Sequence, residues 1–394
     1  MKIIANKLWR VGNNELGYIQ QAIEGGLTSE FTKKFETYFA NKLGIKYAIA
    51  VNSGTSALHA AMGALDIGPG DEVIVPPLTF IATIFAPLYM GAVPVFADID
   101  PYTFNISPES IRQKINKKTK AIITVSLYGL SPEMDEIINI ALQNNLKVVE
   151  DNAQCVLGKY KDRIVGTLGD ISIISLQRSK HLTTGDGGVA FTDNEILAKK
   201  MRKFSDLGYK NLTALPISNE QFKDTLQRPD YIRHDTIGFN YRMPEICAAM
   251  GMAQLDAMEK LLEKRVTISK HYSEAIKGCE WLVPQKIPDG IQHTYWTYAA
   301  KLDSKVNNVS WEKFRKVFRQ KGGDRFYGAW RLAYLEPALE GKVFPEHGIK
   351  YEKGLCPVAE TVQPQLIQFK TNFESIDYAK KQADILADTI AELT

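Results

Sequence analysis

The regular alternation of short apolar runs with amphipathic segments between Lys46 and Thr192 strongly limits how this chain can fold. Seven runs have the length and composition of buried strands: KYAIAV, EVIVP, VPVFADI, KAIITVSLY, LKVVEDN, ISIISLQ and GVAFT. Helix-like segments separate the first five: TSALHAAMGAL, FIATIFAPLYM, PESIRQKI and MDEIINIALQNN. This alternation predicts an α/β fold with a mostly parallel seven-stranded sheet sandwiched by helices. Because ligands of such sheets bind beyond the carboxyl ends of the strands, the residues directly after each strand are the first candidates for a site.

The chain after residue 192 has a different texture. Helical periodicity covers 195–207, and the polar stretch 210–233 is interpreted as a loop or an insertion. A long amphipathic helix, which a kink could interrupt, is predicted over 244–276. Strand-like TYWTYAAKLD, helix-like SWEKFRKVFRQKG and a terminal helix near 376–393 then predict a second, smaller α/β domain. We place the large domain, with its N-terminal segment, at residues 1–260 and the small C-terminal domain at 261–394.

Composition excludes several classes of protein. The 394 residues include 48 Lys and Arg against 45 Asp and Glu, a net charge of +3. A nucleic-acid binder needs clustered positive charge, so this balance argues against one. The four cysteines form no CxxC pair, and their smallest spacing, from Cys247 to Cys279, is 32 residues. We therefore expect no metal site, no disulfide framework and a reducing, cytoplasmic location.

Targeting and membrane segments are not expected either. The first residues, MKIIANKLWRVGNNELG, lack the apolar stretch of a secretory signal. The uncharged segment 73–97 is long enough to suggest a membrane helix, which needs about 20 apolar residues. Its interruption by Pro76, Pro77, Pro87, Gly91 and Pro94 instead favours a buried strand, helix and strand.

A turn of small residues follows the first predicted strand. Ser53, Gly54, Thr55 and Ser56 open the helix-like segment SALHAAMGAL. Free backbone N–H groups at the positive end of a helix dipole bind phosphate readily. An ordinary helix cap explains the same residues and is the more probable interpretation when they are considered alone. The chain contains neither GxGxxG nor GxxxxGK[ST], so a dinucleotide or P-loop site is not predicted.

Two charged residues follow later strands. Asp151 ends LKVVED, where its carboxylate could pair with a cationic ring nitrogen or cap a helix. Lys180 follows ISIISLQ, and a desolvated lysine there could lose its proton and form a Schiff base. A surface loop lysine is the simpler alternative. His181 could serve as an acid or base, although a neighbour in a loop usually points elsewhere.

Together these features suit one cofactor. Pyridoxal phosphate requires an amine for its aldehyde, an anion for its pyridine nitrogen and hydrogen-bond donors for its phosphate. Lys180, Asp151 and the turn at Ser53 provide one of each. The sequence therefore predicts a pyridoxal 5'-phosphate site.

Longer stretches of the chain resemble the DegT/StrS family of sugar and aminocyclitol aminotransferases, which are fold-type-I pyridoxal-phosphate enzymes. The matching stretches are GGLTSEFTKKFETYFA, VNSGTSALHAAMGAL, GPGDEVIVPPLTFIATIFA, GAVPVFADIDPYTFNI, TKAIITVSLYG, VVEDNAQ, SLQRSKHLTTGDGG and GFNYRMPEICAAMGMAQL. They cover most of the first 275 residues and are densest over 51–188, whereas the last third matches in general character.

The resemblance implies a role for each candidate residue. Lys180 would bind the cofactor aldehyde and transfer protons, and Asp151 would pair with the pyridine nitrogen. Gln154 would lie near the ring hydroxyl, and Phe80 would stack on the ring. The phosphate would be held by Gly54 and Thr55, with a hydroxyl from Ser175 and a contact from Asn240 of a neighbouring subunit. Ser53, in the same turn, is a further cofactor-binding candidate. The family pattern thus implies a homodimer with shared active sites.

The implied reaction moves an amino group from L-glutamate or L-glutamine to a keto sugar, expected to be nucleotide-linked, in polysaccharide or natural-product biosynthesis. The family often reads VHLYG where this chain reads VSLYG, so Ser126 replaces a histidine. The QRSKHLTTGDGG stretch is closer to the aminocyclitol branch. A keto cyclitol or a small phosphorylated ketone therefore stays open as the acceptor. A sugar dehydratase, whose branch has histidine in place of Lys180, and a non-catalytic binding protein are further alternatives.

Overall fold

The computed structural model describes residues 9–210, 227–303 and 305–394. Its described helices are α1 (Asn13–Glu24), α2 (Glu30–Leu43), α3 (Gly54–Ala64), α4 (Ala82–Tyr89), α5 (Pro108–Lys114), α6 (Met134–Gln143), α7 (Glu195–Ser205), α8 (Glu245–Asp256), α9 (Met258–Ile276), α10 (Trp311–Gln320), α11 (Pro357–Val362) and α12 (Ile376–Leu393). Its described strands are β1 (Tyr47–Val51), β2 (Glu72–Val75), β3 (Val93–Phe96), β4 (Thr119–Val125), β5 (Lys147–Asp151), β6 (Lys159–Tyr160), β7 (Arg163–Ile164), β8 (Ile171–Ser175), β9 (Gly188–Thr192), β10 (Leu282–Pro284), β11 (Ile291–Gln292), β12 (Thr297–Leu302), β13 (Tyr327–Gly328), β14 (Val343–Phe344), β15 (Ile349–Lys350) and β16 (Leu366–Lys370).

The seven predicted strands form one sheet, in the order β1-β9-β8-β5-β4-β2-β3. Strands β3, β2, β4, β5 and β8 run parallel to one another. Strand β9 is antiparallel to both of its neighbours, β8 and β1. Parallel neighbours need a crossover connection, whereas a loop without a helix joins β8 to β9, which allows β9 to run back beside β8. The predicted mostly parallel sheet is confirmed.

Helices cover both faces of this sheet, as predicted. Val73 and Val75 of β2 pack in the core that α3 and α4 share, whereas Ile74 packs in the core of α5 and α6. Successive strand side chains point to opposite faces, so a run such as EVIVP must be apolar throughout. The uncharged segment 73–97 is the buried series β2, α4 and β3. None of the described helices combines the length and apolar character needed to cross a membrane.

The C-terminal part contains a separate antiparallel sheet of order β10-β12-β16-β13. Residues of α9, α10 and α12 pack with it around Phe314 and Phe369. The residues predicted to form one long helix form two, α8 and α9, and the break between them lies at Ala257 (φ −96°, ψ 2°). Tyr334 and Tyr351 instead pack on Phe96 of the large sheet. The domain boundary at 260 stays a prediction, and residues 211–226 of the predicted 210–233 loop lie outside the described residues.

Glu150 anchors the end of β5, which carries Asp151 to the crevice. Its buried carboxylate accepts hydrogen bonds from the backbone N–H groups of Gly166 (2.9 Å), Leu168 (2.8 Å) and Gly169 (2.6 Å), and from the hydroxyl of Ser172 (3.1 Å). One side chain therefore ties the loop before β8 to β5. The spacing between the two strands that frame the crevice depends on it.

We predict that Glu150→Ala lowers the free energy of unfolding by about 3 kcal/mol, because each buried donor left without a partner costs about 1–3 kcal/mol. Chemical denaturation monitored by circular dichroism measures this. The exposed Glu280 offers a control, since Glu280→Ala should change the stability by no more than about 0.5 kcal/mol. Equal stabilities of the two variants would contradict the anchoring role.

Candidate active site

Two parallel strands bring Asp151 and Lys180 to the same edge of the sheet. Asp151 is the last residue of β5 and pairs in register with Ile173 of β8. Lys180 lies in the loop that joins β8 to β9, five residues beyond Ser175 at the end of β8. The charge of Lys180 lowers the pKa of Asp151 and the charge of Asp151 raises the pKa of Lys180, as expected for two groups at one edge of the sheet. The structure thus places these two predicted residues together.

Asp151 is buried and doubly hydrogen-bonded. Its Oδ2 accepts from the Thr83 hydroxyl (2.8 Å) and its Oδ1 from the Ala153 backbone N–H (3.1 Å). Burial raises the pKa of Asp151, while these two hydrogen bonds and the charge of Lys180 act to lower it. A buried carboxylate in this position gains most from a cation placed against it.

The pKa of Lys180 is shifted in the opposite direction, toward lower values. Its Nζ lies 4.7 Å from the ring centroid of Trp296. Burial lowers the pKa of Lys180 to about 8, Asp151 opposes this change, and Arg265 adds to it. An amine with such a pKa exchanges a proton close to neutral pH, which suits both a nucleophile and a general base.

The predicted phosphate turn lies next to Ser175. The Ser53 hydroxyl caps α3 by accepting from the Ser56 N–H (3.0 Å), and the N–H groups of Gly54 and Thr55 lie at the positive end of that helix. A Cβ on Gly54 would lie 2.9 Å from Cβ of Ser175. A Cβ on Gly188 would lie 2.5 Å from the carbonyl carbon of Ser53. Only glycines allow the two strand ends and the helix to come this close.

Gln154 and Ser126 organise the floor beside Asp151. The Gln154 Oε1 accepts from the Tyr128 backbone N–H (2.7 Å), and the Ser126 hydroxyl donates to the Asn152 Oδ1 (2.6 Å). Tyr128 has a left-handed backbone (φ +62°), and its buried hydroxyl has no hydrogen-bond partner among the described residues. Ser126, which differs from the family histidine, therefore has a local structural role.

Three aromatic rings form a wall next to Lys180. Phe80 is 51% exposed and contacts Trp330 edge to face, with 5.5 Å between ring centroids. Trp330 lies 5.9 Å from Trp296, whose Nε1 donates to the Ser179 carbonyl (2.9 Å). Phe80 was predicted as a ring-stacking residue, and its exposed ring is free to stack on a ligand. The two tryptophans, which come from the C-terminal part, carry no motif that sequence reasoning could have detected.

Asn240 and His181 have surroundings that differ from those of the residues described so far. Asn240 is exposed and forms an isolated antiparallel β-bridge with Asp206. It lines a cavity of about 550 Å³ together with Glu36 and Arg202. The His181 ring is buried, with Nε2 bonded to the Thr294 carbonyl (2.9 Å). Burial holds the pKa of His181 well below its usual value. A neutral, buried histidine does not suit the acid–base hypothesis raised for it.

The residues present fit pyridoxal phosphate. Lys180 offers an amine of lowered pKa, Asp151 a buried carboxylate, and α3 with Ser175 a cradle of N–H and hydroxyl donors. The cradle at Gly54 would be filled by any Cβ there. Within the described ranges no group of three His, Cys, Asp or Glu residues is suited to hold a metal ion.

Thr83 is a residue that sequence reasoning missed. We predict that Thr83→Val raises the pKa of Asp151 further, because valine cannot donate the hydrogen bond that favours the charged form. Infrared difference titration of ¹³C-aspartate-labelled protein measures this. Thr79→Val is the control, since Thr79 contacts Thr83 (3.0 Å); it should move the titration less. Identical midpoints for Thr83→Val and the wild type would refute the prediction.

Comparisons with known proteins identify the family of this chain. The model of the "DegT/DnrJ/EryC1/StrS aminotransferase family" matches residues 10–374. The GDP-perosamine synthase of Escherichia coli O157:H7 is 38% identical over 285 residues, which are 72% of this chain and 73% of the relative. The GDP-perosamine synthase of Vibrio cholerae is 32% identical, over 84% of this chain and 87% of the relative.

A solved structure extends the likeness to the whole chain. An aminotransferase from Psychrobacter cryohalolentis superposes with a TM-score of 0.85 at 32% identity, over 97% of this chain and 98% of that one. The fold-type-I architecture predicted from the sequence is confirmed. The chain belongs to the DegT/DnrJ/EryC1/StrS aminotransferase family and is a pyridoxal-phosphate-dependent sugar aminotransferase.

Proposed function

We propose that this enzyme transfers the amino group of L-glutamate to a keto sugar carried on a nucleotide. The relatives named GDP-perosamine synthase make an amino sugar on guanosine diphosphate, so a GDP-linked keto sugar is the first acceptor to test. L-Glutamine is the alternative donor. The observation that carries the proposal is the convergence of Lys180, Asp151 and the α3 phosphate turn at one edge of the sheet.

Each residue of that group has a distinct task in the proposal. Pyridoxal phosphate, when bound, supplies an electron sink for the carbon that loses its proton. Asp151 would make a positive charge on the pyridine nitrogen favourable, and the hydrogen bond from Thr83 favours the charged form of Asp151. Lys180 Nζ takes the proton from Cα of the amino donor, since its pKa near 8 lets it accept and return a proton at neutral pH. Gly54, Thr55, Ser53 and Ser175 hold the phosphate, and Gln154 orients the ring hydroxyl.

The aromatic wall favours a sugar acceptor. Phe80, Trp296 and Trp330 present apolar faces beside Lys180, and Trp330 is contributed by the C-terminal part of the chain. The C–H face of a sugar ring packs well on such rings. Lys180 argues against the dehydratase alternative. A keto cyclitol or a small phosphorylated ketone would use the same wall, but the names of the curated relatives favour the nucleotide sugar.

A half-reaction experiment tests donor and acceptor separately. The cofactor-loaded enzyme is mixed with L-glutamate or L-glutamine, and the loss of its visible absorbance is followed by stopped flow. The resulting pyridoxamine form is then mixed with a GDP-linked 4-keto sugar, a keto cyclitol or a small phosphorylated ketone. We expect L-glutamate to react, and the GDP-linked sugar to restore the absorbance at least about tenfold faster than the other ketones, as a site with specific polar contacts discriminates.

Lys180→Ala is the control for this experiment. It should fold, show no covalent absorbance band, and lose turnover by about a thousandfold or more, because general acid–base and nucleophilic catalysis are both removed. Turnover of this variant at the wild-type rate would remove Lys180 from the mechanism. A faster return of absorbance with the keto cyclitol would replace the acceptor assignment and leave the aminotransferase chemistry intact.

We also propose a homodimer with shared active sites in the cytoplasm. Asn240 is exposed in its own subunit and lines a cavity together with Glu36, Arg202 and Arg242. This position leaves its amide available to the phosphate of a second copy. A partner that completes the site makes two copies the functional unit.

Mixed dimers test the sharing. Lys180→Ala and Asn240→Asp chains are each expected to be inactive, the second because an added anion repels the phosphate. In a heterodimer one site collects both lesions and the other has none, so an equal mixture should recover up to about a quarter of wild-type activity. No recovery in heterodimers isolated by two affinity tags would show that Asn240 does not serve the partner.

A further inference from the structure

Two buried arginines hold the loop that carries Lys180 by its backbone carbonyls. Arg10 Nη1 donates to the carbonyls of Lys180 and His181, the second at 2.7 Å. Its Nη2 donates to the carbonyl of Arg178 at 2.5 Å. Arg10 belongs to the N-terminal segment before α1, so these contacts join residues about 170 positions apart.

Arg265 approaches the same loop from α9. Its Nη2 donates to the carbonyls of Lys180 (3.2 Å) and Ser179 (3.5 Å). Its Nη1 donates to the Trp296 carbonyl (2.8 Å) and the Thr371 hydroxyl (2.9 Å). The two guanidinium groups together bind four consecutive carbonyls, 178–181, and share that of Lys180.

These arginines are costly for a purely structural task. Arg10 is 6% exposed and Arg265 is 3% exposed. Among the described residues neither forms an ion pair with a carboxylate, and burial lowers the pKa of Arg10 to about 10 and that of Arg265 to about 9. Both stay protonated at neutral pH as buried cations, and the partners of their guanidinium groups within the described ranges are neutral carbonyl and hydroxyl oxygens. Apolar residues of similar volume often stabilise a fold as well or better, so a functional reason for two such charges is favoured.

We propose that Arg10 and Arg265 are positioning residues for Lys180: they fix the 178–181 loop by its carbonyls and keep two positive charges behind the lysine. The inference rests on the proposed role of Lys180 as the cofactor-binding lysine. The loop is neither strand nor helix, and Lys180 N donates within it only to Gln177 O (2.8 Å) among the described backbone contacts. Trp296 Nε1 also binds the Ser179 carbonyl (2.9 Å), and the Ser179 N–H donates to the Gln177 Oε1 (2.7 Å). Among the described residues, the carbonyls of Arg178, Lys180 and His181 are bound by the two arginines alone.

The charges that face Lys180 come from several elements. Asp151 of β5 raises the pKa of Lys180, whereas Arg265 of α9 lowers it. The charge of Arg10 lowers the pKa of Arg265 and the pKa of His181. His181 is neutral because burial already holds its pKa well below the usual value. Removal of the Arg265 charge should therefore raise the pKa of the Lys180 amine. Removal of either arginine should also loosen the loop, and a misplacement of about 1 Å can cost about a hundredfold in rate.

Competitive labelling measures the Lys180 amine directly. Full-length protein without added cofactor is treated with acetic anhydride across a pH series, and the labelled Lys180 peptide is quantified by mass spectrometry. We expect a wild-type midpoint near the pKa of about 8. Arg265→Gln should move the midpoint to higher pH, while Arg265→Lys, which keeps the charge, should leave it near the wild-type value. This readout does not depend on which reaction Lys180 catalyses, so it separates the present inference from the proposed function.

Steady-state kinetics of the loaded enzymes complete the test. Arg265→Gln, Arg265→Lys and Arg10→Gln should each lower kcat by about tenfold to a hundredfold, with a smaller change in KM, because the loss is one of catalytic geometry. The control is Arg319→Gln, since exposed Arg319 of α10 also donates to a carbonyl, that of Gly323. It should leave both the midpoint and kcat unchanged.

Folding of each variant is verified by its thermal transition. A folded Arg265→Gln protein with the wild-type midpoint and wild-type kcat would overturn the proposal. If that variant does not fold, Arg265→Lys and Arg10→Gln decide the question. Wild-type kcat in both of them would show that the carbonyl contacts do not position Lys180, and a reduced kcat with a native thermal transition would support the proposal.

Discussion

The parallel pairing of β5 with β8 is the constraint on which the active site depends. Asp151 lies opposite Ile173 in this pair, and the loop that leaves β8 returns Lys180 to the same edge. A slip of one residue would turn Asp151 to the opposite face of the sheet. Glu150 prevents this by binding three backbone N–H groups of the segment before β8. One buried carboxylate thus supports the register that carries its neighbour Asp151 to the edge of the sheet.

Desolvation shifts the pKa values of the two charged side chains in the site. Burial raises the pKa of Asp151 and lowers that of Lys180, so each group is pushed toward its neutral form. Hydrogen bonds from Ala153 and Thr83 and the charge of Lys180 oppose part of the rise in the pKa of Asp151. Arg265 adds to the lowering of the pKa of Lys180. The pair is therefore prepared for a ligand that presents a cation to Asp151 and an aldehyde to Lys180.

The local pattern of apolar residues in the sequence predicts much of this architecture. The seven strands of the large sheet are predictable because parallel strands buried on both faces are continuous apolar runs, and Asp151 and Lys180 stand out as charges that follow such runs. The break at Ala257 is less visible, because apolar spacing continues through α8 and α9. Thr83 bonds Asp151 from 68 residues away, and Arg10 reaches Lys180 from 170 away. Contacts between residues so far apart arise from tertiary packing, and the hydrophobic periodicity of the sequence does not predict them.

The long separations have a consequence for how the site is assembled. The loop at 178–181 is bound by Arg10 from the N-terminal segment, by Arg265 from α9 and by Trp296 from the region before β12. Arg265 is in turn bonded to Thr371, just after β16. Closing contacts over such distances costs chain entropy, which only the packed tertiary structure repays. The contacts that hold the Lys180 loop therefore need the N-terminal segment, the large sheet and the C-terminal sheet to be in place together. The scaffold of this loop is thus the whole fold rather than the seven-stranded sheet alone.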